Sequence, residues 1–133
     1  MPTDPQPARP VGAPCEVVFD GRGWAQLRWA VVDVEGNGQH PDPDLVEVAV
    51  VHVIGGQIGP ARSWLIHPPR PVTWQARRVH HLGTADLDDA PTAAQVAPEV
   101  TTSLAGAQVV VGHQVRIDLA VLGRCLPGWP TLP

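Results

Sequence analysis

The sequence predicts an α/β fold: a mixed sheet, made of a three-stranded antiparallel meander plus a fourth strand, with flanking helices. Two observations predict it. Three apolar, β-branched runs follow one another at short spacing between residues 29 and 67. A stretch of helical periodicity then precedes a fourth such run at 108–112, and a second helical stretch follows it.

Trp29-Ala-Val-Val-Asp-Val34 is almost wholly apolar and β-branched, which predicts a strand buried on both faces. Gly36-Asn37-Gly38 breaks it. Leu45 to Ile54 is a second strand, ended by the turn signal Gly55-Gly56, and Ile58 to His67 is a third, strongest at Trp64, Leu65 and Ile66. Connections this tight favour antiparallel pairing, because parallel strands need a long crossover. Pro68, Pro69 and Pro71 end the run. Residues 72–81 read as a short helical turn and 82–91 as a loop. Ala93, Val96, Val100 and Leu104 recur at helical spacing behind Thr92, a suitable N-cap, and Gly106 closes that helix. Gln108 to Gly112 is the fourth strand. Ile117 to Leu126 is the last helix, stopped by Pro127 and Gly128. Residues 1–27, with Pro2, Pro5, Pro7, Pro10 and Pro14, are expected to form a flexible Pro-rich tail, and 28–133 a folded domain.

Composition narrows the functions. A chain of 133 residues with 44% hydrophobic residues suits one globular domain with a modest core. No apolar run approaches the roughly 20 residues that span a bilayer, so no membrane partner is expected. Met1 to Pro14 lacks the apolar core of a secretory signal, which makes the cytoplasm the expected location. A net charge of −4 disfavours a protein that grips long duplex nucleic acid with a basic stripe. It is compatible with an enzyme holding one strand end, where bound divalent cations reverse the local sign. Cys15 and Cys125 form no C-x-x-C pattern and read as two reduced thiols rather than a zinc site or a disulfide.

The acids carry the chemistry. Asp33 and Glu35 sit at the C-terminal end of the first strand, and their i, i+2 spacing sends both side chains to one face. Two adjacent carboxylates repel unless cations neutralise them, which points to Mg²⁺ or Mn²⁺ held by oxygen ligands. The plainer alternative is that Asp33 caps a turn and Glu35 is merely exposed; the spacing alone leaves both open. A second acid, Asp118, lies where the fourth strand runs into the last helix, in Val109-Val-Val-Gly-His113-Gln-Val-Arg-Ile-Asp118. Helix capping alone would account for it. A strand-end D-x-E together with a strand-to-helix acid is nevertheless the layout of a two-metal phosphodiesterase site.

These segments resemble the DEDD family of 3′→5′ exonucleases, in its DEDDh form. Asp33-Val-Glu35 and the Gly-containing turn after it are similar to the family's first motif. His113-Gln-Val-Arg-Ile-Asp118 is similar to its second, commonly H-N-x-x-F-D. His81-Leu-Gly-Thr84 resembles an H-G-I-T-like stretch, and Asp86 to Pro98 the acidic loop and helix that follow it. The resemblance covers about residues 29 to 128 and extends to the proofreading epsilon subunit of bacterial replicative polymerase and to ribonuclease T. It implies a ribonuclease H-like fold and hydrolysis of the terminal phosphodiester at the 3′ end of single-stranded DNA or RNA. It also implies two Mg²⁺ or Mn²⁺ ions, with Asp33 bridging both, Glu35 on one and Asp118 on the other. Gly36, Asn37, Gly38, His113 and Gln114 become the expected substrate contacts, and self-association or a DNA polymerase complex the expected protein partners.

The sequence departs from the family at several points. Gly36-Asn37-Gly38 replaces the usual Thr-Thr-Gly, Gln114 stands for Asn, and Ile117 for an aromatic. The third motif, a His or Tyr base followed by a fourth Asp on a helix, has no counterpart before Pro133. The domain is therefore expected to be incomplete at its C-terminus. His80 and His81 precede the second motif and read as loop residues; His52 and His67 read as packing or surface residues, and His40 as part of a turn. Arg77, Arg78 and Arg116 are candidate phosphate contacts against a plainer reading as solvated cations. Trp74 is a candidate base-stacking residue, whereas Trp64 fits the core. Three outcomes follow: an exonuclease, an inactive module that binds metal or a nucleic-acid end, or a structural domain with fortuitous acids.

Overall fold

The computed structural model describes residues 23–38 and 42–129. Expectations placed on residues 1–22, including Cys15, and on His40 lie outside them. The elements are β1 (Arg28–Asn37), β2 (Asp44–Ile54), β3 (Gln57–Leu65), α1 (Trp74–His80), α2 (Ala93–Ala105), β4 (Val109–Val111) and α3 (Val115–Cys125). Short 3₁₀ turns at Trp24–Gln26 and Thr84–Leu87 complete the order. The first of these lies within the stretch expected as tail. It is held by Trp24, which packs edge-on against Trp29 and accepts a hydrogen bond from the Trp29 indole at 2.9 Å on its carbonyl.

The four strands form one mixed sheet in the order β3-β2-β1-β4. β1–β2 and β2–β3 are antiparallel, as the tight connections require, and β4 runs parallel to β1 through Trp29–Val31 and Val109–Val111. The β2–β3 hairpin closes through Gly55 and Gly56 at φ 57° and 75°, the left-handed pair a two-residue turn needs. β3 is an outer strand, mostly exposed, and carries Pro60 and Arg62, residues that blunt edge-to-edge pairing.

The core lies on one face of the sheet. Ala30, Val32, Val48, Val50 and Trp64 meet Val96, Ala97, Val100 and Leu104 of α2 and Val121 and Leu122 of α3. Trp64 belongs to this core, as expected, and its indole donates to Glu99 at 3.0 Å. His52 and His67 contact backbone carbonyls of Ser103 and Leu87 at 2.7 and 2.9 Å, the packing role expected of them. The expectation that β1 is buried on both faces is corrected. Its pattern alternates, with Ala30 and Val32 buried and Val31 39% exposed. Both long helices pack on the same face, and an unbroken apolar run cannot report that a strand has only one covered side.

α2 starts where the sequence placed it. Thr92 accepts from the Gln95 N–H, and the Gln95 side chain accepts from the Thr92 N–H at 2.8 Å, a reciprocal capping box. Thr92→Ala is expected to cost about 1 kcal/mol, read as a lower denaturant midpoint at unchanged slope. An unchanged midpoint would show that the helix does not need its cap.

Candidate active site

The site is built where β1 outruns β4. β4 pairs only as far as Val31↔Val111, so the sheet edge beyond that point is free for a side chain. Asp118, in the first turn of α3, fills it, where the backbone amides of Val34 and of Asp118 itself favour its charged form. The side chain is almost fully buried at 9% exposure. Gly112 makes this approach possible. A Cβ there would lie 3.0 Å from the Val32 carbonyl oxygen and 3.3 Å from Asp118 Oδ2.

Asp33 and Glu35 alternate with the core-facing Val32 and Val34, so they stand on the sheet face opposite α2 and α3. The three acids form one electrostatic group. Glu35 is pushed above the ordinary carboxylate range, first by burial and then by Asp33, Glu47 and Asp118. Asp118 is also raised, by burial and by Asp33, although two backbone N–H groups and His113 oppose the shift. Glu47 is a fourth carboxylate that sequence reasoning missed. It pairs with Glu35 across β1 and β2, and the available signal was a lone charge inside the apolar run Leu45-Val-Glu-Val48.

Beside the acids lies a cleft of about 240 Å³. α3 supplies Ile117, Asp118 and Val121 to one wall; the inner side of α1 supplies Gln75, Ala76, Val79 and His80 to the other. Glu35, Gly36 and Gly38 line the cleft, whereas Asp33 stands exposed on the open sheet face. The reading of His80 as a loop histidine is corrected: it is the last residue of α1. Its Nδ1 accepts from the Leu82 N–H at 3.0 Å, which places the proton on Nε2. Nε2 is buried without a hydrogen-bond partner, and burial lowers the imidazole pKa, keeping the ring neutral. His81 caps α1 in the left-handed conformation at φ 63°.

The expected substrate contacts divide. Gly36 and Gly38 border the cleft, but Asn37 is 3% exposed and turned inward. Its amide donates to the Arg70 and Pro71 carbonyls at 3.1 and 3.0 Å and accepts from the Thr73 N–H at 2.8 Å. Asn37 thus fastens the end of β1 to the segment that starts α1, and its side chain has no group left for a nucleotide. His113 and Gln114 are exposed in the turn before α3 and do not line the cleft.

The donor set suits a hard divalent cation: carboxylate oxygens that repel one another and whose charged forms are disfavoured until neutralised. Among the described residues no three His, Cys, Asp or Glu side chains converge tightly enough to enclose an ion.

Comparison with known proteins decides the family. The exonuclease family profile matches residues 30–124, which span β1 to α3 and include Asp33, Glu35 and Asp118. The chain belongs to the DEDD family of 3′→5′ exonucleases. It is 34% identical over 84 residues to Exodeoxyribonuclease 10 of Escherichia coli (strain K12), covering 63% of this chain and 36% of that protein. It is 32% identical over 103 residues to a DNA polymerase III subunit epsilon-like protein of Rhodobacter capsulatus, covering 74% of this chain and 14% of that one. Exonuclease X, solved in complex with 5′ overhanging duplex DNA, superposes with a TM-score of 0.61 at 31% identity, covering 77% of this chain and 55% of that one. Escherichia coli Exonuclease I, at 16% identity and a TM-score of 0.64, shares the fold. The chain thus spans about a third of the first curated relative and about half of the Exonuclease X chain. The mixed four-stranded sheet is the ribonuclease H-like core of this exonuclease family.

Proposed function

We propose that this exonuclease chain acts at the 3′ end of a single strand of DNA or RNA, hydrolysing the terminal phosphodiester at Asp33, Glu35 and Asp118. The observation that carries the reading is that Glu35 and Asp118 line one cleft, each raised by burial and then by the neighbouring Asp33 charge. Asp33 and Glu35 stand side by side at the end of β1, and Asp118 is held toward them from α3. Asp33, Glu35 and Asp118 are the residues that would hold Mg²⁺ or Mn²⁺. Bound there, divalent cations would supply Lewis-acid activation of water and neutralise charge on the phosphodiester. The protein's own share is positional. Gly112 gives Asp118 room beside β1, and the backbone at Gly36 and Gly38 borders the cleft together with Pro43. The walls of the cleft, Val79, Ile117 and Val121, fit the apolar faces of a terminal nucleotide. A soluble cytoplasmic setting fits this substrate; no helix among the described residues is long and apolar enough to cross a membrane.

Binding of a nucleic-acid end without cleavage is the second reading. It is favoured by one observation: His80, the only imidazole lining the cleft among the described residues, uses Nδ1 on the Leu82 N–H and carries its proton on Nε2. It is therefore not poised to accept a proton from water. Digestion of a 5′-labelled single strand separates the readings. A ladder shortened from the 3′ end with Mn²⁺ and absent with EDTA is the expected result. No cleavage by folded protein that still binds the strand leaves the binding reading; no binding and no cleavage removes both.

A further inference from the structure

α1 has two working faces. Gln75, Ala76, Val79 and His80 border the cleft, whereas Trp74, Arg77, Arg78 and His81, at i, i+3, i+4 and i+7, line a separate open concavity on its outer side. Trp74 is 66% exposed, far more than a core tryptophan, and the Arg78 guanidinium lies 4.7 Å from its ring centroid. The chain has no lysine, so its cationic surface consists of nine arginines. Among the described residues Arg62, Arg70 and Arg124 are paired with Glu99, Asp44 and Asp42, and Arg28 donates to the Gly106 carbonyl. Arg77 and Arg78 are adjacent and have no carboxylate partner among those residues.

We propose that this outer face of α1 is a docking surface for single-stranded nucleic acid, holding the strand beside the nucleotide that enters the cleft. This rests on the cleft being the nucleotide site. Two guanidiniums match the geometry of consecutive phosphates, and an exposed indole stacks on any base regardless of sequence. The placement also answers an electrostatic problem. Asp33, Glu35, Glu47 and Asp118 repel an incoming polyanion, in a chain of net charge −4. A cationic face one helix width away, about 10 Å, offsets that repulsion where the strand arrives.

The test is the anisotropy of a 5′-labelled oligothymidylate bound by the full chain in EDTA, so that nothing is cut. R77Q/R78Q is expected to weaken binding about tenfold at low salt and to reduce the salt slope by about 1.4, two phosphates at roughly 0.7 each. W74A is expected to weaken binding about tenfold with the slope unchanged. R28Q/R62Q, which removes the same charge elsewhere, is expected to shift it less than twofold. All these side chains are exposed, so the variants are expected to melt like wild type, which a melting curve checks. If R77Q/R78Q and W74A bind like wild type while I117E in the cleft is weakened, the docking surface is wrong and the cleft reading stands. If wild type binds no oligonucleotide either in EDTA or with Ca²⁺ in its place, the cleft reading fails and takes the surface with it. If polyglutamate competes equally and W74A is silent, the face is a general anion site and the nucleic-acid assignment is overturned.

Discussion

Asp33→Asn is expected to raise the melting temperature of the metal-free protein while abolishing the divalent-cation response and the nuclease activity proposed for it. The first effect follows from repulsion. Asp33 is the charge that raises both Glu35 and Asp118, after burial in each case. Removing it is expected to stabilise the fold by about 1 kcal/mol, a few degrees for a domain of this size. The direction with pH follows from linkage. Carboxyls raised in the folded state hold protons that the unfolded chain has released. Stability therefore falls as pH climbs from the ordinary carboxylate range through the raised folded values, then levels off. The variant removes the Coulombic part of that fall and leaves the part due to burial, so its decline is shallower. On the proposed function, divalent cations are expected to reverse the balance in the wild type. At a concentration about tenfold above Kd, binding to the folded form alone adds about 1.4 kcal/mol, and more at higher pH where the ligands are deprotonated. The variant is expected to gain no such shift and to lose at least about 100-fold in cleavage rate, roughly 3 kcal/mol of barrier. Melting curves with EDTA and with Mn²⁺, at pH 5 and pH 7.5, check all of this. A variant that melts lower than wild type in EDTA, or that keeps the Mn²⁺ shift, would remove the basis for the acid cluster.

Strand and helix positions were largely legible because hydrophobic period and turn residues are local signals. The meander, the cap at Thr92 and the strand-to-helix placement of Asp118 all depend on a few neighbouring residues. The family resemblance, carried by Asp33-Val-Glu35 and His113 to Asp118, came from motif order and is matched by the span of the exonuclease profile. Contacts between distant segments were not legible. Glu47 joins the site only through the register Glu35↔Glu47, and β2's sequence does not say which residue of β1 it will face. His80 reaches the cleft because it ends α1, Trp74–His80, which packs against β1. The half-covered sheet depends on α2 and α3 choosing the same face, which no run of valines encodes.

Asn37→Ala is expected to damage the fold more than any other of these substitutions, costing about 2–4 kcal/mol and lowering the melting temperature by roughly 10–20 °C. The side chain is buried and satisfies the Arg70 and Pro71 carbonyls and the Thr73 N–H. Alanine leaves these three backbone groups without partners where water reaches poorly. Thr73 is also the N-cap of α1, accepting from the Ala76 N–H at 3.1 Å, so the loss passes directly to the helix that walls the cleft. Asn37→Asp is expected to do no better: it keeps an acceptor for Thr73 but sets a carboxylate against two carbonyls. Hydrogen exchange should then show the α1 amides losing protection before those of β1 and β2. The measurement also separates two roles for this position. A residue that only touched substrate would cost activity and leave the melting temperature alone. A melting temperature within 1 °C of wild type, with cleavage lost, would return Asn37 to the substrate and contradict the buried anchor. A large drop that also loosens α1 means that the cleft's shape depends on an amide outside it, which ties strand-end geometry, helix placement and the site into one cooperative unit.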